Sequence, residues 1–141
     1  IAESANKVAY KDFAHSPSKV SATTKAVKAQ YPDRKLIACL ELHTYSSLNA
    51  EFLKEYQGAL DAADVAVVFY SPDAVKIKRL EEVSYDQISQ SFQREDLIIY
   101  TNPTEFKDFL FSQNLENSAL LLMSSGNYGG LNFDEVKGLI N

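Results

Sequence analysis

The sequence predicts an α/β fold of the Rossmann-like, doubly wound type, with a mostly parallel sheet and helices on both faces. Short β-branched segments alternate with helical patterns along the 141 residues, which is typical of repeated strand and helix units. The segment Leu36–Leu40 is almost entirely apolar, as expected for a strand that helices cover on both sides. Together these two observations favour a layered α/β domain over an all-helical or all-β one.

The first strand and helix unit is predicted near the start of the chain. Val8–Tyr10 can form a strand, and Ser16 is the predicted N-cap of a helix whose first position is Pro17. The helix is expected to end before Pro32, because proline cannot continue it. Its apolar face is predicted from residues at helical spacing, which are Val20, Thr24, Val27 and Tyr31.

Further units follow along the chain. Four more strands are predicted from apolar or β-branched runs, namely Leu36–Leu40, Val65–Phe69, Leu97–Tyr100 and Ala119–Met123. A helix capped by Asn49, with Glu51 in its first turn, is expected to bury Phe52, Tyr56 and Ala59. The remaining predicted helices carry three sets of apolar residues, which are Tyr85, Ile88 and Phe92, then Phe106, Phe109 and Leu110, and finally Phe133, Val136 and Ile140.

Composition restricts the class of protein. The chain has 14 Lys and Arg against 19 Asp and Glu, a net charge of −5, which argues against binding nucleic acid or anionic membrane by bulk electrostatics. No apolar run approaches the roughly 20 residues that span a bilayer. Cys39 is the only cysteine, so a cytoplasmic, reducing location is expected. Residues 1–141 are interpreted as one domain, and a start at Ile1 suggests a longer parent protein.

Ligands of a doubly wound sheet bind beyond the carboxyl ends of its strands. Polar and flexible residues concentrate at this predicted edge, namely Asp12, His15, Glu41, His43, Ser71, Asp73, Thr101 and Ser124–Gly130. The alternation after the second strand predicts that Glu41 and His43 are exposed as the chain leaves the sheet. Binding residues are therefore expected in these loops.

The loop Asp12–Pro17 combines a carboxylate, an imidazole and a hydroxyl with a helix N-terminus. Free backbone N–H groups at a helix N-terminus favour anions. The loop is a candidate nucleotide site, in which Asp12 accepts ribose hydroxyls while His15 and the helix end face phosphate oxygens. The alternative is that Asp12 only organises the turn and Ser16 only caps the helix.

The loop Ser124–Gly130 is rich in glycine and joins the fifth predicted strand to the last helix. Glycine permits backbone conformations closed to other residues and close approach of a ligand, so the loop could cradle a carboxylate or phosphate. It lacks the lysine of a Walker A loop and the G-x-G-x-x-G spacing of dinucleotide sites. The alternative is a tight connection. Its residues are Ser124, Ser125, Gly126, Asn127, Tyr128, Gly129 and Gly130.

A metal site and a serine hydrolase site are both poorly supported. The chain has 2 histidines and no zinc-ligand spacing, and it has no G-x-S-x-G nucleophile elbow. No catalytic residue and no metal ligand is therefore assigned within this sequence.

Three segments resemble a known enzyme family. Asp-Phe-Ala-His-Ser-Pro at 12–17 resembles the loop that opens the C-terminal domain of Mur ligases and, more loosely, of folylpolyglutamate synthases. Leu-Glu-Leu-His-Thr-Tyr-Ser at 40–46 looks like a strand and loop of the alanine-adding members. Leu-Leu-Leu-Met-Ser-Ser-Gly-Asn-Tyr-Gly-Gly-Leu at 120–131 is similar to a segment of the recycling members, the murein peptide ligases. The order of the segments makes the family resemblance more specific, and the segment at 120–131 favours the recycling branch.

The resemblance implies a three-domain, ATP-dependent and Mg²⁺-dependent amide ligase of cell-wall peptidoglycan synthesis, whose N-terminal and central domains lie outside this sequence. Such an enzyme joins an L-alanine-containing peptide, or L-alanine, to UDP-N-acetylmuramate through an acyl phosphate. By resemblance, the ATP-binding residues are Asp12, His15 and Ser16. The substrate-binding residues are His43, Thr44 and the loop Ser124–Gly130. The central domain would hold most of the ATP and Mg²⁺ contacts, so the fragment alone is expected to be inactive.

Departures from the family pattern leave alternatives open. Thr44 and Ser47 stand where alanine-adding ligases usually carry arginine, and Ser16 replaces a second histidine. The D-N-P-R signature of ligases that add free diaminopimelate is absent. The alternatives are a UDP-N-acetylmuramate–L-alanine ligase domain and, in another class, a non-catalytic nucleotide-binding or scaffolding module.

Overall fold

A sheet of six strands lies at the centre of the described part of the chain. The computed structural model describes residues 2–3, 6–14, 16–42, 52–70, 91–94, 96–124, 126 and 128–140. The strands are β1 (Ala2–Glu3), β2 (Lys7–Asp12), β3 (Lys35–Glu41), β4 (Val65–Phe69), β5 (Ile98–Tyr100) and β6 (Ser118–Met123). Their spatial order is β1-β2-β6-β3-β4-β5. Only the edge pair β1 and β2 is antiparallel among these pairings, so the predicted mostly parallel sheet is confirmed.

The described helices include α1 (Pro17–Gln30), which joins β2 to β3, and α2 (Pro103–Ser112), which joins β5 to β6. A 3₁₀ helix at Phe52–Tyr56 lies between β3 and β4, and α3 (Phe133–Ile140) follows β6. Among the helices of the described ranges, none has the length and apolar character needed to cross a bilayer. The strand order places β6 between β2 and β3, so the chain returns to the middle of the sheet after building its far edge.

Helix α1 follows the predicted pattern closely. Val20, Thr24 and Val27 are buried against the sheet, as their spacing predicts. Tyr31 is half-buried just beyond the helix, and its N–H donates to the Val27 carbonyl at 3.1 Å. Pro32 follows and cannot extend the helix. Ser16 occupies the N-cap position with an extended backbone, but its hydroxyl makes no capping hydrogen bond, so the predicted capping role of that side chain is wrong.

Two apolar cores lie on opposite faces of the sheet, which confirms the doubly wound arrangement. One core contains Val20 and Val27 of α1 together with Tyr56 of the 3₁₀ helix. The other contains Phe106 of α2 and Val136 of α3. The central strands β3 and β6 are buried almost throughout, as expected for strands that are covered on both sides.

Three features differ from the predictions. Where an α-helix is predicted after Asn49, the described residues form a 3₁₀ helix and turns, and Gly58 with φ +75° is incompatible with a continuing α-helix. Strand β1 is not predicted, because two residues carry no recognisable periodicity; it pairs through Ala2↔Ala9 and Glu3↔Val8. Residues 43–51 and 71–90, with the predicted helix start at Asn49 and most of the predicted Tyr85–Phe92 helix, lie outside the described residues.

Asn102 provides a test of the local contribution of a helix cap. Its Oδ1 accepts hydrogen bonds from Thr104 N at 2.8 Å and Glu105 N at 3.2 Å. Replacing Asn102 with alanine removes both, and the free energy of unfolding is expected to fall by about 1 kcal/mol. Urea unfolding measures the change. Asn102→Asp keeps the acceptor and serves as control; equal midpoints for Asn102→Ala and the wild type would contradict the expectation.

Candidate functional site

Three neighbouring strands end together at the carboxyl edge of the sheet. Asp12 at the end of β2 is in register with Met123 at the end of β6, and Leu40 of β3 is in register with the same Met123. The chain is tied across this edge, because Ser124 N donates to the Asp12 carbonyl at 2.9 Å. The loops after β2 and β6, predicted from separate parts of the sequence as ligand sites, are therefore adjacent.

Asp12 lies at the strand end in a fixed local turn. Its side chain is half-buried, and its Oδ1 accepts a hydrogen bond from Ala14 N at 2.7 Å. This bond across two residues is the Asx-type turn expected of aspartate in loops, so the organising role considered as the alternative is present. The side chain also remains accessible to solvent, which leaves the nucleotide role as a prediction. His15 lies outside the described residues.

Ser16 occupies the N-cap position of α1, but its hydroxyl does not cap the helix. Its Oγ is buried and has no hydrogen-bond partner within the described ranges. The backbone carbonyl of Ser16 accepts a hydrogen bond from Val20 N at 2.9 Å, which is the first hydrogen bond of α1. A buried hydroxyl without a protein partner costs free energy. The arrangement is compatible with the predicted contact between Ser16 and a nucleotide at the start of α1.

Glu41 corrects the prediction for the end of β3. The sequence alternation predicts an exposed carboxylate, but Glu41 is only 3% exposed. Its Oε1 accepts hydrogen bonds from Ser124 Oγ at 2.5 Å and from Tyr128 N at 2.9 Å. The reason is the strand order, since β6 and the loop that follows it lie directly beside β3. The carboxylate therefore binds the glycine-rich loop and does not face solvent.

The glycine-rich loop is anchored by its side chains and open at its glycines. Ser124 is fully buried, whereas Gly126 is half-buried and Gly129 and Gly130 are exposed. Ser124 Oγ also accepts a hydrogen bond from Gly126 N at 2.7 Å. Any substrate contact by this loop is consequently expected from its exposed backbone, not from the Ser124 hydroxyl. Ser125 and Asn127 lie outside the described residues.

Tyr128 is the main anchor of the loop. The ring is 1% exposed and stacks on Phe106 with centroids 4.8 Å apart. Its hydroxyl lies 2.9 Å from the carbonyls of Cys39 and Met123. Burial raises the pKa of Tyr128 well above its usual range, and the nearby Cys39 and Glu41 act in the same direction. The phenol therefore stays protonated and can donate to these carbonyls, while its ring is buried against Phe106.

The remaining predicted substrate-binding residues, His43 and Thr44, lie outside the described residues. No group of three or more metal-ligating side chains occurs within the part of the chain that the structure describes. Asp12 is half-buried at the strand end, and its carboxylate is a hydrogen-bond acceptor of the kind that ribose hydroxyls require.

Sequence reasoning missed how Glu41 and Tyr128 act. The available signal for Glu41 was its position directly after the apolar run Leu36–Leu40, at the last residue of β3. Because both faces of that strand are covered, a carboxylate there is expected to be buried. Tyr128 adopts φ 54°, a conformation that the glycines of the loop were expected to provide. No short-range pattern identifies a left-handed tyrosine, since two of its hydrogen-bond acceptors, the Cys39 carbonyl and the Glu41 carboxylate, lie 89 and 87 residues earlier in the chain.

Two curated relatives are UDP-N-acetylmuramate–L-alanine ligases. A UDP-N-acetylmuramate–L-alanine ligase of a Sulfurihydrogenibium species is 29% identical over 119 residues, covering 82% of this chain and 25% of that protein. The corresponding ligase of Limosilactobacillus reuteri is 42% identical over 57 residues, covering 40% of this chain and 13% of that protein. The chain thus spans a quarter or less of the length of these curated relatives. No family model matches the sequence.

Solved structures share the fold. A murein peptide ligase from Psychrobacter arcticus superposes with a TM-score of 0.69 at 18% identity, over 96% of this chain and 28% of that one. A domain assigned to a UDP-N-acetylmuramate:L-alanyl-γ-D-glutamyl-meso-diaminopimelate ligase of Haemophilus ducreyi superposes with a TM-score of 0.61 at 23% sequence identity. The match covers 96% of this chain and 94% of that domain. A UDP-N-acetylmuramate–alanine ligase of Thermotoga maritima superposes with a TM-score of 0.59 at 17% sequence identity. The match covers 89% of this chain and 25% of that protein. The predicted fold and the predicted resemblance are both confirmed.

Proposed function

Since this chain is a homologue of the Mur ligases with the fold of their C-terminal domain, we propose that it serves as that domain in a cytosolic, ATP-dependent amide ligase. The reaction joins an L-alanine-containing peptide to UDP-N-acetylmuramate during peptidoglycan synthesis or recycling. The N-terminal and central domains belong to the rest of the polypeptide and provide most of the ATP and Mg²⁺ contacts. This chain contributes loops that contact ATP and the amine substrate.

The observation that carries the proposal is the meeting of two loops at one edge. Ser124 N donates to the Asp12 carbonyl at 2.9 Å, so the D-F-A-H-S-P loop and the glycine-rich loop are neighbours. In sheets of this type the carboxyl edge is the ligand-binding edge. A nucleotide on the first loop and an amine substrate on the second would consequently lie side by side, as a ligase requires.

On the nucleotide side, Asp12 is the residue we assign to the ribose of ATP. Its turn with Ala14, closed at 2.7 Å, holds the carboxylate at the strand end. A carboxylate accepts hydrogen bonds from two vicinal hydroxyls with little rearrangement. His15 and the N-terminus of α1 are assigned to the phosphates, with Ser16 beside them. The helix dipole favours this negative charge.

On the amine side, the half-buried Gly126 and the exposed Gly129 and Gly130 are assigned to the peptide, together with His43 and Thr44. Contact through the main chain suits a carboxylate or amide of the incoming peptide. In the proposed reaction the muramate carboxylate takes the γ-phosphate of ATP, and ADP is released. The amine nitrogen then attacks the acyl carbon and forms the C–N bond. The C–O bond to phosphate breaks, so inorganic phosphate leaves with the electron pair, and the amine nitrogen loses a proton. This chain orients the amine and assists closure over ATP.

A second candidate uses free L-alanine as the amine. It is favoured by the curated relatives, since both of those compared are named as L-alanine ligases. The recycling reaction is favoured by the S-S-G-N-Y-G-G loop and by two of the three structural neighbours. The two reactions share the nucleotide and the muramate and differ only in the amine, so one assay separates them.

The test is an assay of the full-length protein that contains this chain, with ATP, Mg²⁺ and UDP-N-acetylmuramate. Phosphate release is expected with L-alanyl-γ-D-glutamyl-meso-diaminopimelate, and release with free L-alanine alone would support the second candidate. The 141-residue chain by itself is the matched control and is expected to release no phosphate. A full-length protein that uses neither amine would contradict the proposal and favour a non-catalytic nucleotide-binding module.

A further inference from the structure

Glu41 is a buried carboxylate that the proposed reaction does not use directly. It is 3% exposed at the end of β3, and taking a carboxylate out of water is costly unless it is well hydrogen-bonded. Its Oε1 meets this requirement with two donors from the same loop, Ser124 Oγ and Tyr128 N. Glu41 thus contacts both ends of the segment from 124 to 128, which is 83 or more residues away in the chain.

Further contacts of Ser124 and Tyr128 fix the conformation of the loop that Glu41 binds. We call the contact of Glu41 with Ser124 and Tyr128 the clamp. Ser124 Oγ donates to Glu41 and accepts from Gly126 N at 2.7 Å, so the first turn is fixed. Tyr128 is held in the left-handed region at φ 54°, and its ring is locked against Phe106. The exposed Gly129 and Gly130 follow at once. The position of the exposed backbone therefore depends on the Glu41 carboxylate.

We infer that Glu41 is a positioning residue for the amine substrate, which it orients through the Ser124–Gly130 loop without touching it. The inference rests on the proposed function, because it takes the amine to bind at this loop. The nucleotide loop is joined to the same edge by a backbone hydrogen bond, from Ser124 N to the Asp12 carbonyl, which does not involve Glu41. Loss of the carboxylate should consequently affect the amine site and leave the ATP site in place.

A purely structural role for Glu41 predicts a different result. If the carboxylate only stabilised the fold, its loss would reduce the amount of active protein and lower kcat without changing any KM. Positioning predicts a selective rise in the KM for the amine. It also predicts rescue by glutamine, since the amide oxygen of glutamine can accept the same two hydrogen bonds.

The experiment compares variants of the full-length protein, with the recycling tripeptide and L-alanine each tried as amine. Glu41→Leu is expected to raise the KM for the amine about tenfold or more, because two buried donors lose their acceptor. Ser124→Ala removes one of the two contacts, is milder for folding, and should raise the same KM by a smaller factor. Glu41→Gln should stay close to the wild type. The KM for ATP is expected to be unchanged in all three.

Ser118→Ala is the matched control for Ser124→Ala. Ser118 is a buried serine at the opposite end of the same strand, 2% exposed, with its hydroxyl 3.1 Å from the Glu116 carbonyl. It is expected to change stability without changing the KM for the amine. The inference is overturned if Glu41→Leu and Ser124→Ala both leave that KM unchanged, or if Glu41→Gln fails to rescue it.

Amide hydrogen exchange tests the clamp, that is, the contact between Glu41 and the loop, without a measurement of ligase activity. In the 141-residue chain, the Tyr128 amide should exchange faster in Ser124→Ala and Glu41→Leu than in the wild type, while the amides of α1 are unaffected. Unchanged exchange at Tyr128 would overturn the inference. A wild-type full-length protein without ligase activity would instead refute the proposed function, so the two failures are distinguishable.

Discussion

Replacing Gly129 with valine is expected to destabilise the chain by roughly 2–5 kcal/mol, the sum of backbone strain and overpacking. Gly129 has φ +74°, where a β-branched residue is strongly disfavoured. A Cβ at this position would lie 2.7 Å from Cγ of Pro103 and 3.6 Å from Cζ of Phe69. The ring of Pro103 is rigid and begins α2, so the contact cannot be relieved by a rotamer change.

Chemical denaturation with circular dichroism measures this effect, and a double-mutant cycle separates its causes. Pro103→Ala removes the Cγ atom, so the Gly129→Val variant should regain part of its stability in the double mutant. Gly138→Ala is the matched control, because Gly138 lies within α3 outside the left-handed φ range. A Cβ added there would meet no atom within 4 Å apart from its chain neighbours and the backbone of its own helix. An unfolding midpoint of Gly129→Val equal to that of the wild type would contradict the expectation.

Some elements of the fold could be predicted from local sequence patterns. Strand β4 begins and ends where the β-branched run predicts, and α1 begins at Pro17 as expected. These elements depend on spacing within a few residues, so hydrophobic periodicity is sufficient. The 3₁₀ helix after residue 51 departs from the prediction, since Gly58 with φ +75° imposes a turn that periodicity does not encode.

The candidate site was predicted less completely because it depends on strand order. The loops were located correctly at strand ends, but the insertion of β6 between β2 and β3 follows from long-range packing. That insertion brings Ser124 and Tyr128 to Glu41 and turns an expected surface carboxylate into a buried one. Local alternation could not reveal this, because the partner residue Ser124 lies 83 residues further along the chain.

Asp12→Ala is expected to lower kcat/KM for ATP in the full-length protein by roughly 10- to 150-fold, which corresponds to about 1.5–3 kcal/mol for a charged hydrogen bond. The reason is loss of the carboxylate that we assign to the ribose. The KM for the amine should not change, because the Asp12 contact with the glycine-rich loop uses its backbone carbonyl and survives the substitution. Steady-state kinetics with each substrate varied in turn provides the measurement.

The local role of Asp12 requires its own control, because Oδ1 also closes the turn with Ala14 N at 2.7 Å. Asp12→Asn retains an acceptor for that turn and loses only the charge. If Asp12 binds ATP, the asparagine variant should fall between the wild type and Asp12→Ala, since a neutral acceptor forms a weaker hydrogen bond. If it only organises the turn, asparagine should restore full activity. Wild-type kinetics for ATP in both variants would remove Asp12 from the nucleotide site.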